Sequence, residues 1–117
     1  MNDVARQRML RLIGLGVRGR GAVVGVQQVR EAAKKGDLAF AVIAPDASQN
    51  SLDKLLPLLR ARGVRFAEAG SARELGAAVG RDTTAAVGIM DRQLAKGIRE
   101  IVESSDSDTA GRDRRSV

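Results

Sequence analysis

The sequence contains no cysteine, histidine, tryptophan or tyrosine, and its only aromatic residues are Phe40 and Phe66. Without cysteine the chain forms no disulfide and binds no metal through thiolate, and a reducing compartment is permitted. Without histidine it lacks the commonest zinc ligand and the usual general base near neutral pH. Only carboxylate, Ser/Thr or lysine chemistry remains. We therefore expect a protein that is not an enzyme and that uses no cofactor, metal or small-molecule substrate.

Long apolar runs are also missing. No stretch approaches the roughly 18 apolar residues of a membrane-spanning helix. The N-terminal pairs Met9-Leu10 and Leu12-Ile13 are interrupted by Arg11 and followed by glycines and arginines, unlike a secretory signal peptide. We expect a cytoplasmic protein without a membrane partner.

With 117 residues, the chain has room for one domain. Hydrophobic residues make up 44% of it, so the core must consist of Leu, Ile, Val and Ala. The net charge of +6 lies in the first third, because residues 1–36 hold eight Lys/Arg against Asp3 and Glu31, while residues 37–117 are balanced. Such an asymmetry favours a polyanionic partner, although a generally arginine-rich composition would produce the same excess.

Helical and strand-like periodicities alternate along the chain, and glycine punctuates most of the joins. The pattern predicts five helices around four strands in a single α/β domain over residues 1–103. Their predicted ranges are 3–13, 22–24, 25–36, 38–44, 50–63, 64–69, 71–80, 85–90 and 91–103. We expect Leu38 to Ala44 to be a central strand, because it is continuously apolar. Asn50 or Ser51 is expected to cap the third helix, in which Pro57 predicts a kink or a late start.

Further capping residues are Ser71, which has the spacing of a capping box with Glu74, and Asp91. After Glu103 the apolar pattern stops. The polar stretch 104–117 is therefore expected to be a disordered tail. The remaining carboxylates fall mostly at caps or turns and do not form a catalytic pair.

A dinucleotide-type glycine pattern occupies Gly14 to Gly19. That motif requires a strand before it and a helix after it, whereas here a helix precedes it and a strand follows. A nucleotide-binding enzyme thus stays an alternative that a nucleotide-induced rise in melting temperature would test. Arg18 and Arg20, on a flexible turn, can instead contact backbone phosphate beside a helix that starts at Gly25. A solvated loop is the plain alternative.

The start of the second helix is the best candidate site. Gly25 permits close approach of nucleic-acid backbone, the free amides of the first turn favour phosphate, and Gln27 and Gln28 can hydrogen-bond to base edges. Two glutamines on a helix are also compatible with a solvated surface.

Several phrases in order resemble the kink-turn RNA-binding ribosomal-protein superfamily, of the archaeal large-subunit L7Ae and L30e type, and especially its short bacterial YlxQ-like branch. They are LIGLGVRGRGAVVGVQQVREAAKKG, AVIAPDASQN with the leucine-rich helix, AGSARELGAAVG and DRQLAKGI, within residues 9–102. The resemblance implies a three-layer α-β-α sandwich with a mixed four-stranded sheet. It also implies a non-catalytic protein that binds structured RNA, a kink-turn or ribosomal RNA, with the ribosome as a possible assembly and a monomer as the expected state.

The same resemblance assigns RNA contacts to the start of the second helix and to the loop before the fourth. The family motif Gly-x-Asn-Glu-x-x-Lys, which reads sheared G·A pairs, maps onto Gly25 to Glu31. Glutamine replaces asparagine and glutamate, and Glu31 replaces the lysine, so Glu31 must pair with Arg30, Lys34 or Lys35 or else oppose RNA. The loop maps onto Ala69, Gly70 and Ser71, a shallow apolar contact for a flipped-out base. The implied RNA-binding residues are Arg18, Arg20, Gly25, Gln27, Gln28, Arg30, Glu31, Lys34, Ala69, Gly70 and Ser71.

A second hypothesis is a ribosome-associated interaction or assembly module with only weak, non-specific RNA binding. The replacement of the family's lysine by Glu31 favours this hypothesis. Affinity for RNA that does not fall with salt would exclude the phosphate contacts of the first hypothesis.

Overall fold

A computed structural model of the chain describes the backbone of residues 1–114 and the side chains of residues 1–104. Five helices and four strands alternate along it. They are α1 (Asp3–Arg18), β1 (Ala22–Val24), α2 (Val26–Lys35), β2 (Phe40–Ile43), α3 (Gln49–Ala61), β3 (Phe66–Glu68), α4 (Ala72–Ala78), β4 (Ala86–Ile89) and α5 (Arg92–Arg114). The predicted element order is confirmed.

The four strands form one mixed sheet in the order β1-β4-β2-β3. Strand β4 is antiparallel to β1 and β2, and β2 is parallel to β3, with Ala41 opposite Phe66. Strand β2 is therefore interior, as its apolar sequence predicted. Because β1, β2 and β3 all run in the same direction, their C-terminal ends lie at one edge of the sheet.

The sheet separates two apolar clusters, so the predicted α-β-α sandwich is confirmed. Alternate residues of β2 point to opposite faces. Phe40 and Val42 belong to the cluster that includes residues of α1, α4 and α5, while Ala41 and Ile43 belong to the cluster that includes residues of α2 and α3. Both clusters are aliphatic apart from Phe40 and the partly buried Phe66, as the composition required.

Helix α1 continues to Arg18, beyond the predicted end at Ile13. Its two glycines lie at close helix contacts. A Cβ on Gly14 would lie 2.8 Å from the carbonyl oxygen of Ala78, and one on Gly16 would collide with Leu94. The glycine pattern therefore serves the packing of α1 against α4 and α5, which excludes the strand-turn-helix arrangement of a dinucleotide site.

Helix α3 begins earlier than predicted. Ser48 is its N-cap and accepts the amide of Ser51 at 3.1 Å, so the prediction of Asn50 or Ser51 as the cap is wrong. The helix starts eight residues before Pro57, which lies inside it, so Pro57 does not delay the start. The other caps are confirmed, because the side chains of Ser71 and Asp91 accept the amides of Glu74 and Leu94.

Helix α5 extends to Arg114, past the predicted end at Glu103. Helical hydrogen bonds do not require an apolar face, so the end of the apolar pattern did not determine the end of the helix. The disorder expected for residues 104–117 stays a prediction, because the side chains of residues 105–114 and all of residues 115–117 lie outside the described residues. Within the part that the structure describes, no helix combines the length and the apolarity that crossing a membrane requires.

We call the two opposite ends of the sheet, where the strands begin or end, the Gly25 edge and the Arg20 edge. The Gly25 edge comprises the segments that follow β1, β2 and β3 and precede β4, namely 25–28, 44–50, 69–73 and 81–85. The Arg20 edge comprises the segments at the other strand ends, namely 19–21, 36–39, 64–65 and 90–92.

Candidate nucleic-acid interface

Three helices begin at the Gly25 edge. Helices α2, α3 and α4 start at Val26, Gln49 and Ala72, each shortly after the end of a parallel strand. The first amides of a helix have no partner within the helix and carry a partial positive charge, so they attract anions and hydrogen-bond acceptors. In α3 and α4 a serine side chain occupies one of these amides. Helix α2 has no such side-chain cap.

Gly25 is the N-cap of α2 and has φ 93° and ψ 159°, a backbone conformation that is essentially limited to glycine. A Cβ at this position would meet nothing within 4 Å. The requirement for glycine is therefore conformational, and the space next to the first turn of α2 is open. Its own amide donates to the carbonyl of Ala86 at 2.9 Å, which fixes the start of the helix to β4.

Gln27 and Gln28 are exposed in the first turn of α2. The amide nitrogen of Gln27 is 3.5 Å from Oε1 of Glu31, whereas Gln28 makes no side-chain hydrogen bond within residues 1–104. Glu31 is exposed and forms no ion pair within the same residues. Of the two alternatives for Glu31, pairing with Arg30, Lys34 or Lys35 is not observed within residues 1–104, where its side-chain partner is Gln27.

Arg30 contacts α3, and Lys34 lies far from the start of α2. The guanidinium of Arg30 donates to the carbonyl of Lys54 at 2.6 Å. Lys34 lies in the last turn of α2, about 13 Å from Gly25 along the helix axis, and its carbonyl accepts a hydrogen bond from Arg62. The structure does not bring these two cations to the start of α2.

The second predicted contact, the loop from Ala69 to Ser71, lies at the same edge. Gly70 has φ 72°, a left-handed conformation. Ala69 is only 5% exposed and packs in the core, so it cannot offer the shallow apolar surface predicted for it. The exposed part of the loop is the backbone around Gly70 and the partly exposed Ser71.

A short relay of hydrogen bonds connects this loop region to Gly25. The buried Thr84 donates its amide to the carbonyl of Ala72 at 3.0 Å and its hydroxyl to the carbonyl of Ala86 at 3.2 Å. The latter carbonyl also accepts the amide of Gly25. Asp46 adds a second tie, because Oδ1 accepts the amide of Ala72 at 2.8 Å. Thr84 therefore holds the starts of α2 and α4 in register, and Asp46 ties the start of α4 to the segment after β2.

These two positioning residues were not recognised from the sequence. Asp46 was expected only at a local cap or turn, but it caps a helix that begins 26 residues later. No pattern in the sequence indicated the role of Thr84. The available signal was the element order, since three consecutive strand-to-helix connections in parallel strands must meet at one edge.

Arg18 and Arg20 lie away from the Gly25 edge. The turn at Arg20 precedes β1, whereas Gly25 follows it, so about 16 Å of extended chain separates the two. Arg18 ends α1, and its guanidinium approaches Gly14 and Ala78. The prediction that these arginines lie beside the start of α2 is wrong, because the strand direction places them at the other end of β1.

The Gly25 edge thus offers uncapped amides, amide side chains and a small-residue loop. Such groups donate to phosphate and form hydrogen bonds with base edges. Among the residues that the structure describes, no group of three or more carboxylates could hold a metal ion.

Comparisons with known proteins agree with this fold. The model of the Ribosomal protein L7Ae/L30e/S12e/Gadd45 family matches residues 7–98. A solved structure of a Bacillus halodurans protein with unknown function is 24% identical, with a TM-score of 0.75, covering 81% of this chain and 96% of its own. The Giardia lamblia 15.5kD RNA binding protein is 23% identical, with a TM-score of 0.73 and 92% of both chains covered. No curated protein matches the chain.

Proposed function

The chain belongs to the Ribosomal protein L7Ae/L30e/S12e/Gadd45 family, and on this premise we propose that it binds structured RNA through the Gly25 edge. The proposed target is a kink-turn or a related internal loop in ribosomal or other noncoding RNA. The proposed setting is the bacterial cytoplasm, where the protein acts as a monomer, without catalysis and with the ribosome as a candidate assembly. The Giardia protein with the same fold is described as RNA-binding.

The observation that carries the proposal is the uncapped, glycine-initiated start of α2. The N–H groups of its first turn have no side-chain acceptor, and the space beside Gly25 is open. Gln27 and Gln28 are exposed in that turn. An RNA backbone can therefore approach the amides closely while amide side chains hydrogen-bond to the exposed edges of non-Watson–Crick bases.

The loop at Gly70 would supply the second contact. Because Thr84 connects the start of α4 to the start of α2, the spacing between the two contacts is fixed before RNA binds. Preorganisation of this kind reduces the entropic cost of binding. With Ala69 buried, the loop contacts the flipped-out base through backbone and Ser71, which offers less apolar surface.

The experiment compares binding to a kink-turn duplex with binding to the same duplex in which the G·A pairs are replaced by Watson–Crick pairs. We expect tighter binding to the kink-turn. Gln28→Ala should reduce affinity for the kink-turn by about tenfold, since a good base contact is worth about 1–3 kcal/mol, and should leave affinity for the control duplex unchanged. Gln93→Ala, an exposed glutamine in the first turn of α5, is the matched control and should alter neither. Equal affinities of the wild type for the two duplexes would contradict kink-turn recognition.

The exposed Glu31 favours a second candidate function, an assembly or interaction module with weak, non-specific RNA binding. It places a carboxylate that forms no ion pair within residues 1–104 about 9 Å from Gly25 along the axis of α2. Equal affinities for the two duplexes, together with salt-dependent binding to both, would support this alternative.

A further inference from the structure

The Arg20 edge carries cations that the Gly25 edge does not use. A cavity of about 430 Å³ opens there between the segment after α2 and the start of α5. Its lining includes the cationic side chains of Arg92, Lys96 and Arg99 and a single carboxylate, Asp37. Because the three cations stand at positions i, i+4 and i+7 of α5, they share one helix face and span about 10 Å along its axis.

Two further cations belong to segments that border this cavity. Lys35 precedes Gly36, which lines the cavity. Arg20 precedes Gly21, whose carbonyl accepts the amides of Met90 and Asp91 at 2.8 and 3.1 Å. The turn that carries Arg20 is thereby fixed against the start of α5.

The carboxylates nearby compensate this surface only in part, because Glu103 pairs with Arg99 whereas Asp37 forms no ion pair within residues 1–104. Arg92 and Lys96 are exposed and form no ion pair within residues 1–104. The carboxylate of Asp91 accepts the amide of Leu94 as the cap of α5. The buried Nε of Arg99 lies 3.9 Å from a carboxylate oxygen of Glu103 and has no hydrogen-bond partner within the same residues.

We propose that the Arg20 edge is a second RNA-binding surface, on which Arg20, Lys35, Arg92, Lys96 and Arg99 hold the phosphodiester backbone of a segment other than the one at the Gly25 edge. This inference rests on the proposed function in one respect, namely that the polyanion bound at the Arg20 edge is RNA. The edges are about 16 Å apart along β1, so one short internal loop does not occupy both. The protein then connects two segments of a folded RNA.

The shape and chemistry of the surface favour nucleic acid over a membrane or an acidic protein. A concave, cation-lined cavity admits a narrow chain of phosphates, and guanidinium groups bind phosphate oxygens through paired hydrogen bonds. A flat bilayer cannot enter it, and membrane binding commonly adds apolar contacts to charge. The exposed large apolar residues Met1, Val4 and Leu15 do not line this cavity.

The test uses a double variant, Arg92→Gln with Lys96→Gln, and two RNAs. The short RNA is the minimal kink-turn duplex, and the long RNA carries an additional duplex arm at each end. For the long RNA the double variant should reduce the slope of log affinity against log salt by about 2, because each lost phosphate contact removes about 0.9. Binding to the short RNA should not change. Arg20→Gln, from a different element, should reduce the long-RNA slope by about 1.

The matched control is Arg8→Gln with Arg11→Gln, which removes two exposed charges from α1 that form no ion pair within residues 1–104. An unchanged long-RNA slope in the Arg92 and Lys96 variant, or a reduction equal to that of the control, would overturn the proposal. The proposal would also be overturned if the Arg92 and Lys96 variant kept the wild-type long-RNA slope but lost binding to phosphatidylglycerol vesicles or to polyglutamate. If the wild type fails to prefer the kink-turn while the slope still falls, the Gly25 proposal fails and this one stands.

Discussion

Reversing the charge of Glu31 tests how the α2 start faces RNA. Glu31 is exposed, and within residues 1–104 its side chain makes one hydrogen bond, the 3.5 Å contact with Gln27, and no ion pair. Little therefore holds the carboxylate in place, and Glu31→Lys should be accommodated without rearrangement. The change replaces a negative charge beside the proposed RNA with a positive one.

The magnitude follows from Coulomb's law. A unit charge about 7 Å from a phosphate in water is worth about 0.6 kcal/mol, so a change of two charges is worth about 1.2 kcal/mol. Affinity for the kink-turn should therefore rise roughly sevenfold at low salt. Stability should fall slightly, because a lysine at this position repels Lys34 and Lys35 one turn away, at about 0.2–0.5 kcal/mol per pair.

Fluorescence anisotropy with a labelled kink-turn at two salt concentrations measures the effect. Glu31→Gln should give about half of the gain in free energy, since it removes one charge of the two. Glu100→Lys makes the same charge change at an exposed position of α5 near Arg8. If Glu31→Lys binds no more tightly than Glu100→Lys, Glu31 does not face the RNA and the reasoning fails.

Three further changes test the architecture of the Gly25 edge. Gly25→Ala should destabilise the fold by about 1–3 kcal/mol in chemical denaturation, because alanine does not adopt its backbone conformation without strain; full stability would mean that this conformation is wrong. Asp46→Ala should cost about 1 kcal/mol by removing the acceptor of the Ala72 amide, while Asp46→Asn, which keeps an acceptor, should restore most of it. Thr84→Val should cost about 1 kcal/mol and weaken kink-turn binding, because its hydroxyl donates to the Ala86 carbonyl; Thr84→Ser should retain both properties, and identical behaviour of the two variants would exclude the relay.

Much of the fold follows from local sequence. Glycine at the end of a helical stretch predicted the end of α2, whose C-cap is Gly36, and the hydroxyl and carboxylate caps Ser71 and Asp91 predicted two helix starts. Helix α1 was predicted too short because Gly14 and Gly16 look like a loop in isolation. Only the packing against Ala78 and Leu94 explains why a helix carries them.

The candidate site was predictable only in part. Gly25, Gln27 and Gln28 were found because they are local to one helix start. The positions of Arg18 and Arg20 depended on strand direction, and charge counted along the chain cannot distinguish the two ends of a strand. The burial of Ala69 and the contact of Arg30 with Lys54 are long-range, so no local pattern reports them.

The central claim, that structured RNA binds at the Gly25 edge, is tested most directly by NMR titration of the protein with a minimal kink-turn RNA. We expect the largest amide shift changes at Val26, Gln27 and Gln28 in α2 and at Gly70 and Ser71, and little change in the amides of the Arg20 edge. Large changes confined to the Arg20 edge, with the amides of residues 26–28 unaffected, would contradict it.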